Sequence, residues 1–143
     1  MMAGSRSTLL LSIKPAYADA ILAGTKWWEL RRRPPRQRVG RVFLYATRPV
    51  MAIVGECRVL GMRGDTPELL WAWVSQGAGV LRVSYDEYFE GSDLAWSLKL
   101  GEPRRFDRPV PLAAVGLGKP PRSFRYLSAS QAQLRLPTGW VGA

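Results

Sequence analysis

Residues 7–31 read STLLLSIKPAYADAILAGTKWWELR, and the order of elements in this stretch decides the fold class. The apolar run STLLLSI reads as a buried strand that Pro15 stops. PAYADAILAG follows as a short helix: proline suits its first turn, Tyr17, Ala20 and Ile21 share one face, and Gly24 supplies the stop. KWWELR returns to strand character, and RRPPRQRVG behind it is a loop, because two prolines and a glycine interrupt any ladder.

Working outward, RVFLYAT and MAIVGECRVLGM are two apolar strands separated by RPV, with lengths that suit antiparallel neighbours. TPELLWAWVSQGAG is an amphipathic helix with Thr66 as N-cap and Pro67 at its first position, ended by the Gly77 to Gly79 segment. SYDEYFEG reads as a short helix, LAWSLKLG as a strand and RFDRPVPL as a separate extended segment. The tail carries a proline loop and then a capping-box helix start, Ser128 with Gln131. Several strands with helices inserted at their ends predict a mixed α/β (α+β) fold, a small β-barrel with short helices at its rim. A chain of 143 residues with no repeat and no Gly/Ser linker is expected to be one domain over residues 1–143, with a core of roughly 8–127 and an extension of 128–143.

The 21 Lys and Arg against 11 Asp and Glu leave a formal +10, which favours a polyanionic partner. Arginine supplies 17 of the bases, and its planar fork pairs with phosphate and stacks on nucleobases. Cys57 is the only cysteine and histidine is absent. That combination removes disulfides, cysteine clusters, the usual general base and the Ser-His and Cys-His dyads, so no metal and no cofactor is expected. The run TLLLSI is too short to cross a bilayer and no basic amphipathic helix is present, which predicts a soluble, cytoplasmic protein with no membrane partner.

The charge is local. Between Lys26 and Arg41 there are seven bases (Lys26, Arg31, Arg32, Arg33, Arg36, Arg38, Arg41) and one acid, Glu29, so this segment carries +6. On a strand, Trp28 and Leu30 point one way and Glu29, Arg31 and Arg33 the other. Glu29 is then either a solvated partner of Arg31 or part of a site together with Lys26, whose direction the strand rule leaves open. Trp28 and Trp96 are the core candidates among the six tryptophans; Trp27 is a candidate stacking platform beside Glu29. A second cluster from Lys99 to Arg125 has a net +5, and within it Phe124 and Tyr126 alternate with Arg122 and Arg125, which suits either base stacking or a loop pinned to the core. The acids Asp86, Glu87, Glu90 and Asp93 read as a solvated helix face. Glu56, inside an apolar strand, needs solvent, a pocket or an arginine.

LLSIKPAYADAILAGTKWWELRRRPP, VFLYATRPVMAIVGECRV and KPPRSFRYL, in this order over most of residues 9–127, resemble the ASCH family, the activating-signal-cointegrator homology domains of the PUA-like superfamily. The resemblance implies a PUA-like barrel with a cleft lined by Lys26 and Glu29, and a role in RNA binding or modification. Related bacterial proteins include acetylcytidine amidohydrolases and a ribonuclease acting on single strands. The amidohydrolases use a Lys, Thr and Glu set with the threonine three residues after the lysine; here that position is Glu29, which lacks the attacking hydroxyl.

The leading reading is a nucleic-acid-binding module for single-stranded RNA or a modified nucleoside, with a cleft built on Gly24, Lys26, Glu29 and Arg31. Trp27, Arg32, Arg33, Arg36, Arg38, Lys119, Arg122, Ser123 and Arg125 would contact the strand. The alternative is a hydrolase in the same cleft, a ribonuclease or an amidohydrolase with Lys26 and Glu29 as catalytic candidates. A third reading is a protein-interaction adaptor using the tryptophan-rich helix from Thr66 to Gln76.

Overall fold

The structure is a computed structural model that describes residues 6–133; the part of the expected extension from 134 to 143 lies outside the described residues. Six strands, β1 (Ser7–Ile13), β2 (Trp28–Arg31), β3 (Val39–Ala46), β4 (Ala52–Asp65), β5 (Ala95–Val110) and β6 (Phe124–Leu127), form one sheet in the order β2-β5-β4-β3-β1-β6. The helices are α1 (Pro15–Ala23), α2 (Pro67–Val74), α3 (Arg82–Phe89) and α4 (Ala129–Ala132). The fold is thus mixed α/β, and the sheet curls into a half-barrel. Its two edges meet at one end, where Arg31, the last residue of β2, donates from Nη1 to Ser123 Oγ at 2.5 Å, one residue before β6.

The apolar run of β1 is explained by its place in the sheet, buried on both faces. Leu9, Leu11 and Ile13 join Val42, Leu44 and Val59 and the α1 residues Ala18 and Ile21 on one side. Leu10 joins Phe43, Tyr45, Ile53 and Phe106 on the other. β1 runs parallel to β3 and antiparallel to β6. Parallel neighbours need a crossover, and here α1 and β2 lie within it. A third apolar cluster, Leu30 with Leu70, Val74, Tyr85, Phe89 and Ala95, fastens α2 and α3 over β2 and the start of β5.

Several local expectations change in the fold. The buried face of α1 is Ala18 and Ile21, with Ala20 only half-buried. The two segments around Gly101 are one continuous strand, β5, because bulges absorb the irregular GEPRR stretch: its pairing with β4 shifts register three times, and Glu102 takes φ +49°. Trp28 and Trp96 are half-buried. The Trp96 ring lies across Gly64, its partner on β4, where a Cβ would come within 2.4 Å of the ring. Phe124 and Tyr126 pack on the core and Arg125 between them is exposed, the pinned arrangement of the two considered. Glu56 meets Arg41 Nε at 3.0 Å. Thr66 caps α2 through Leu69 N, and Ser128 and Gln131 form the capping box of α4.

Candidate nucleic-acid cleft

Lys26 is placed by the way α1 ends. Gly24 adopts φ +84°, a conformation open to glycine, and the amides of Thr25 and Lys26 both donate to Ala20 O, at 2.9 and 3.1 Å. The chain folds back sharply, and the Lys26 side chain enters the protein with 3% of its surface exposed. Its ammonium donates to Ala78 O at 2.5 Å and stands 5.2 Å from the centre of the Tyr17 ring. The segment after α2 is shaped to receive it. Gly77 O accepts from both Trp27 N and Trp28 N, and a Cβ on Gly79 would come within 3.0 Å of Lys26 Cβ. Burial pushes the Lys26 pKa below its ordinary value; Glu29 opposes the shift and Arg31 adds to it.

Glu29 and Arg31 follow from strand alternation. Trp28 and Leu30 pack toward the α2–α3 cluster, while Glu29 and Arg31 pair through Oε2 and Nη2 at 2.6 Å. The Glu29 side chain is 8% exposed and that of Arg31 13%, so this is a buried ion pair and not a solvated one. Arg31 Nε is buried with no hydrogen-bond acceptor among the described residues. The guanidinium is fixed by Glu29 on one side and Ser123 on the other, with its Nε shut away from solvent, and the remainder of its edge lines the cleft.

These side chains line a cleft of about 540 Å³. Its walls are Ser12, Ile13 and Lys14 at the end of β1, Tyr17 of α1, and Tyr85 and Tyr88 of α3. Tyr85 donates to Pro67 O, and burial pushes its pKa up to about 12, so it lines the wall as a neutral phenol. At the rim the Arg32 guanidinium lies 4.2 Å from the Tyr88 ring centre and donates to Tyr88 O at 2.7 Å. Three cations, Lys14, Lys26 and Arg31, face two acids, Glu29 and Glu87, so the lining is mixed in charge and most arginines lie outside it.

Of the residues singled out in the sequence, Lys26, Glu29 and Arg31 come together, Ser123 joins them through Arg31, and Arg32 stands at the rim. Arg33, Arg36, Lys119, Arg122 and Arg125 are exposed and outside the lining. Arg38 lines a different groove, with Arg6. Trp27 lies against Gly77, to whose carbonyl its backbone is tied, and borders a small pocket with Lys26, Cys57 and Leu100; it is not in the lining of the larger cleft. Residues that sequence reasoning missed are Lys14, Tyr17, Tyr88 and the Ala78 carbonyl. Only the alternation of tyrosines with acids in α3 hinted at any of them. The amidohydrolase arrangement lacks its nucleophile: the nearby Thr25 is exposed, and its hydroxyl is spent on Ala20 O at 3.2 Å.

Comparison with known proteins gives a consistent result. An "ASCH domain-containing ribonuclease" of Zymomonas mobilis is 29% identical over 133 residues, covering 90% of this chain and 89% of the relative. The crystal structure of ASCH from Zymomonas mobilis superposes with a TM-score of 0.83 at 29% identity, over 90% of this chain and 93% of that one. A large ribosomal subunit protein uL22 of Ureaplasma parvum is 26% identical over 121 residues, which are 84% of this chain but 39% of that longer protein. The ASCH domain profile matches residues 11–107, and the chain belongs to the ASCH domain family.

Proposed function

We propose that the Lys26–Glu29–Arg31 cleft binds single-stranded RNA and that the chain is a ribonuclease cutting the strand there. The observation that carries this reading is a buried lysine beside a buried, pre-paired Glu29–Arg31, all opening on one cleft with aromatic walls. A lysine whose pKa burial lowers, standing in a cleft, is a candidate for chemistry. The ribonuclease description of the Zymomonas relative supports the same direction.

The residues divide the work as follows. Tyr17 and Tyr88 offer ring surface to a base, and the cleft-facing edge of Arg31 and Lys14 meet phosphate oxygens. In strand cleavage the ribose 2′-oxygen attacks the adjoining phosphorus while its proton leaves to a base, and the 5′-oxygen departs with a proton. The Glu29 carboxylate takes the first proton. Lys26, whose ammonium is destabilised by burial, gives up the second more readily than an exposed lysine. Arg31 faces the charge that develops on the phosphoryl oxygens.

The test is to incubate the protein with a short single-stranded RNA containing ordinary and acetylated cytidines, and to weigh the products while recording complex formation. Shortened strands, absent with Lys26→Met, are the expected outcome. An intact RNA held in a salt-sensitive complex would instead make the cleft a reading site, and lost acetyl groups would make it an amidohydrolase.

A further inference from the structure

We propose that a second basic pocket, at the other end of β1 from the Lys26 cleft, binds the phosphodiester backbone of the same RNA; the identity of this partner rests on the function proposed above. The pocket holds about 530 Å³, and its lining sets three arginines, Arg6, Arg41 and Arg58, against one acid, Glu102, with Thr8 and Leu60 beside them. It is built by strand register. Thr8 of β1 pairs with Arg41 of β3, and Arg41 with Arg58 of β4, so a hydroxyl and two guanidiniums stand in one cross-strand row.

Like charges directly opposite each other on neighbouring strands repel. Glu56 relieves only one of them, at 3.0 Å from Arg41 Nε. Arg58 and Arg6 are in no ion pair among the described residues. Arg6 is brought down beside the row by Gly40: a Cβ there would meet Arg6 Cβ at 2.9 Å and Cδ at 3.0 Å, so the arginine stem lies against the bare glycine. The backbone thus makes room for a third guanidinium where two already repel; Glu102 lines the pocket but pairs with none of the three among the described residues, and an anion between them relieves the remaining excess of positive charge.

The shape selects among anions. The pocket adjoins a groove of about 250 Å³ that shares Arg6, Val59 and Leu60 with it and adds Arg38 and Met62. Arg6, Arg38, Arg41 and Arg58 therefore share one surface with exposed Leu60 and Met62. A nucleic-acid strand offers such a surface both phosphates and flat, less polar bases and sugars, whereas a free phosphate would need only the Arg41–Arg58 row. β1 separates this surface from the cleft. Its six steps from Ser7 to Ile13, at about 3.3 Å each, make roughly 20 Å. An oligonucleotide that just fills the cleft does not span that distance; a longer strand does.

The experiment measures binding of a fluorescein-labelled tetranucleotide and a labelled 20-mer of the same RNA by anisotropy across a salt series. It compares wild type, R6E/R58E, K26M and a charge-matched control, R48E/R108E, with thermal melts to confirm folding. R6E/R58E is expected to bind the 20-mer at least tenfold more weakly than the control, with a log–log salt slope shallower by about 1.4, two phosphate contacts at about 0.7 each. Its affinity for the tetranucleotide stays that of the control. Equal weakening of the 20-mer in R6E/R58E and the control overturns the proposal, as does a wild type that binds no 20-mer. A loss seen only on anionic phospholipid vesicles would also overturn it, by making the pocket a membrane contact. The arms separate the two readings: undiminished tetranucleotide binding by K26M refutes the cleft without touching the pocket.

Discussion

Replacing Glu29 by glutamine tests whether the Glu29–Arg31 pair in the cleft is a buried one. Glutamine keeps the shape and removes the charge. The pair is 2.6 Å long, with side chains 8% and 13% exposed, so neither partner keeps much hydration. Removing one member of a fully buried pair costs about 3–5 kcal/mol, against about 0–1 for an exposed one. The cleft opens on one side and Arg31 retains Ser123, which places the expected loss near the lower end, about 3 kcal/mol. With urea m-values of about 2 kcal/mol/M, that is a fall in midpoint of about 1.5 M. Urea melts followed by tryptophan fluorescence read this directly, and the double variant E29Q/R31M closes the cycle: removing the stranded guanidinium should recover part of the loss. A loss below about 1 kcal/mol, with no recovery in the double variant, would refute the burial argument and return the pair to solvent.

Three further outcomes follow from the same geometry. Burial holds the Lys26 pKa below its ordinary value, so between the folded pKa and 10.5 the unfolded chain binds the extra proton, and this group's contribution to stability must rise with pH. The difference in urea midpoint between wild type and K26M should therefore shift in favour of wild type from pH 7 to 10; a constant difference contradicts the buried ammonium. Cys57, 1% exposed, has its thiol pKa pushed up to about 12 by burial, so it should resist an aromatic disulfide reagent at pH 8 in the folded protein and react promptly in urea. The stability from keeping that thiol neutral should fade as pH rises from 9 toward 12. Gly77→Ala puts a Cβ at φ +86° and 2.1 Å from the Trp27 ring, and should lower stability by at least about 2 kcal/mol in thermal melts and weaken RNA binding with it; an unchanged melt would remove Gly77 from the support of the site.

What was legible in the sequence was local. The strand, the helix with proline at its start and glycine at its end, and the alternation of Glu29 with Leu30 each depend on neighbours within a few residues, and each is in the structure. The continuity of β5 was hidden, because Gly101 and Pro103 signal a break unless a bulge and the positive φ of Glu102 absorb them. The parallel pairing of β1 with β3 was hidden too, since an apolar run states that both faces are covered and says nothing of direction. The placement of Trp27 does not follow from strand alternation with Trp28, since Trp27 precedes β2 and its backbone is tied to Gly77 O.

The cleft itself divides along the same line. Its central charged groups, Lys26, Glu29 and Arg31, lie within one six-residue stretch, but the contacts that hold them come from far away: Ala78 is 52 residues from Lys26, and Ser123 is 92 from Arg31. Taken alone, KWWELR is a strand with a solvated ion pair, worth about 0–1 kcal/mol and without a reason to bind anything. The Gly77–Gly79 segment closes over Lys26, and β6 with the residues before it brings Ser123 to Arg31; both exclude water from charges that would otherwise be hydrated. That exclusion lowers the lysine pKa and strengthens the carboxylate–guanidinium pair. The burial of the motif is therefore a property of the half-barrel, and substitutions in residues 77–79 or 121–124 should alter the cleft while leaving its charged side chains in place.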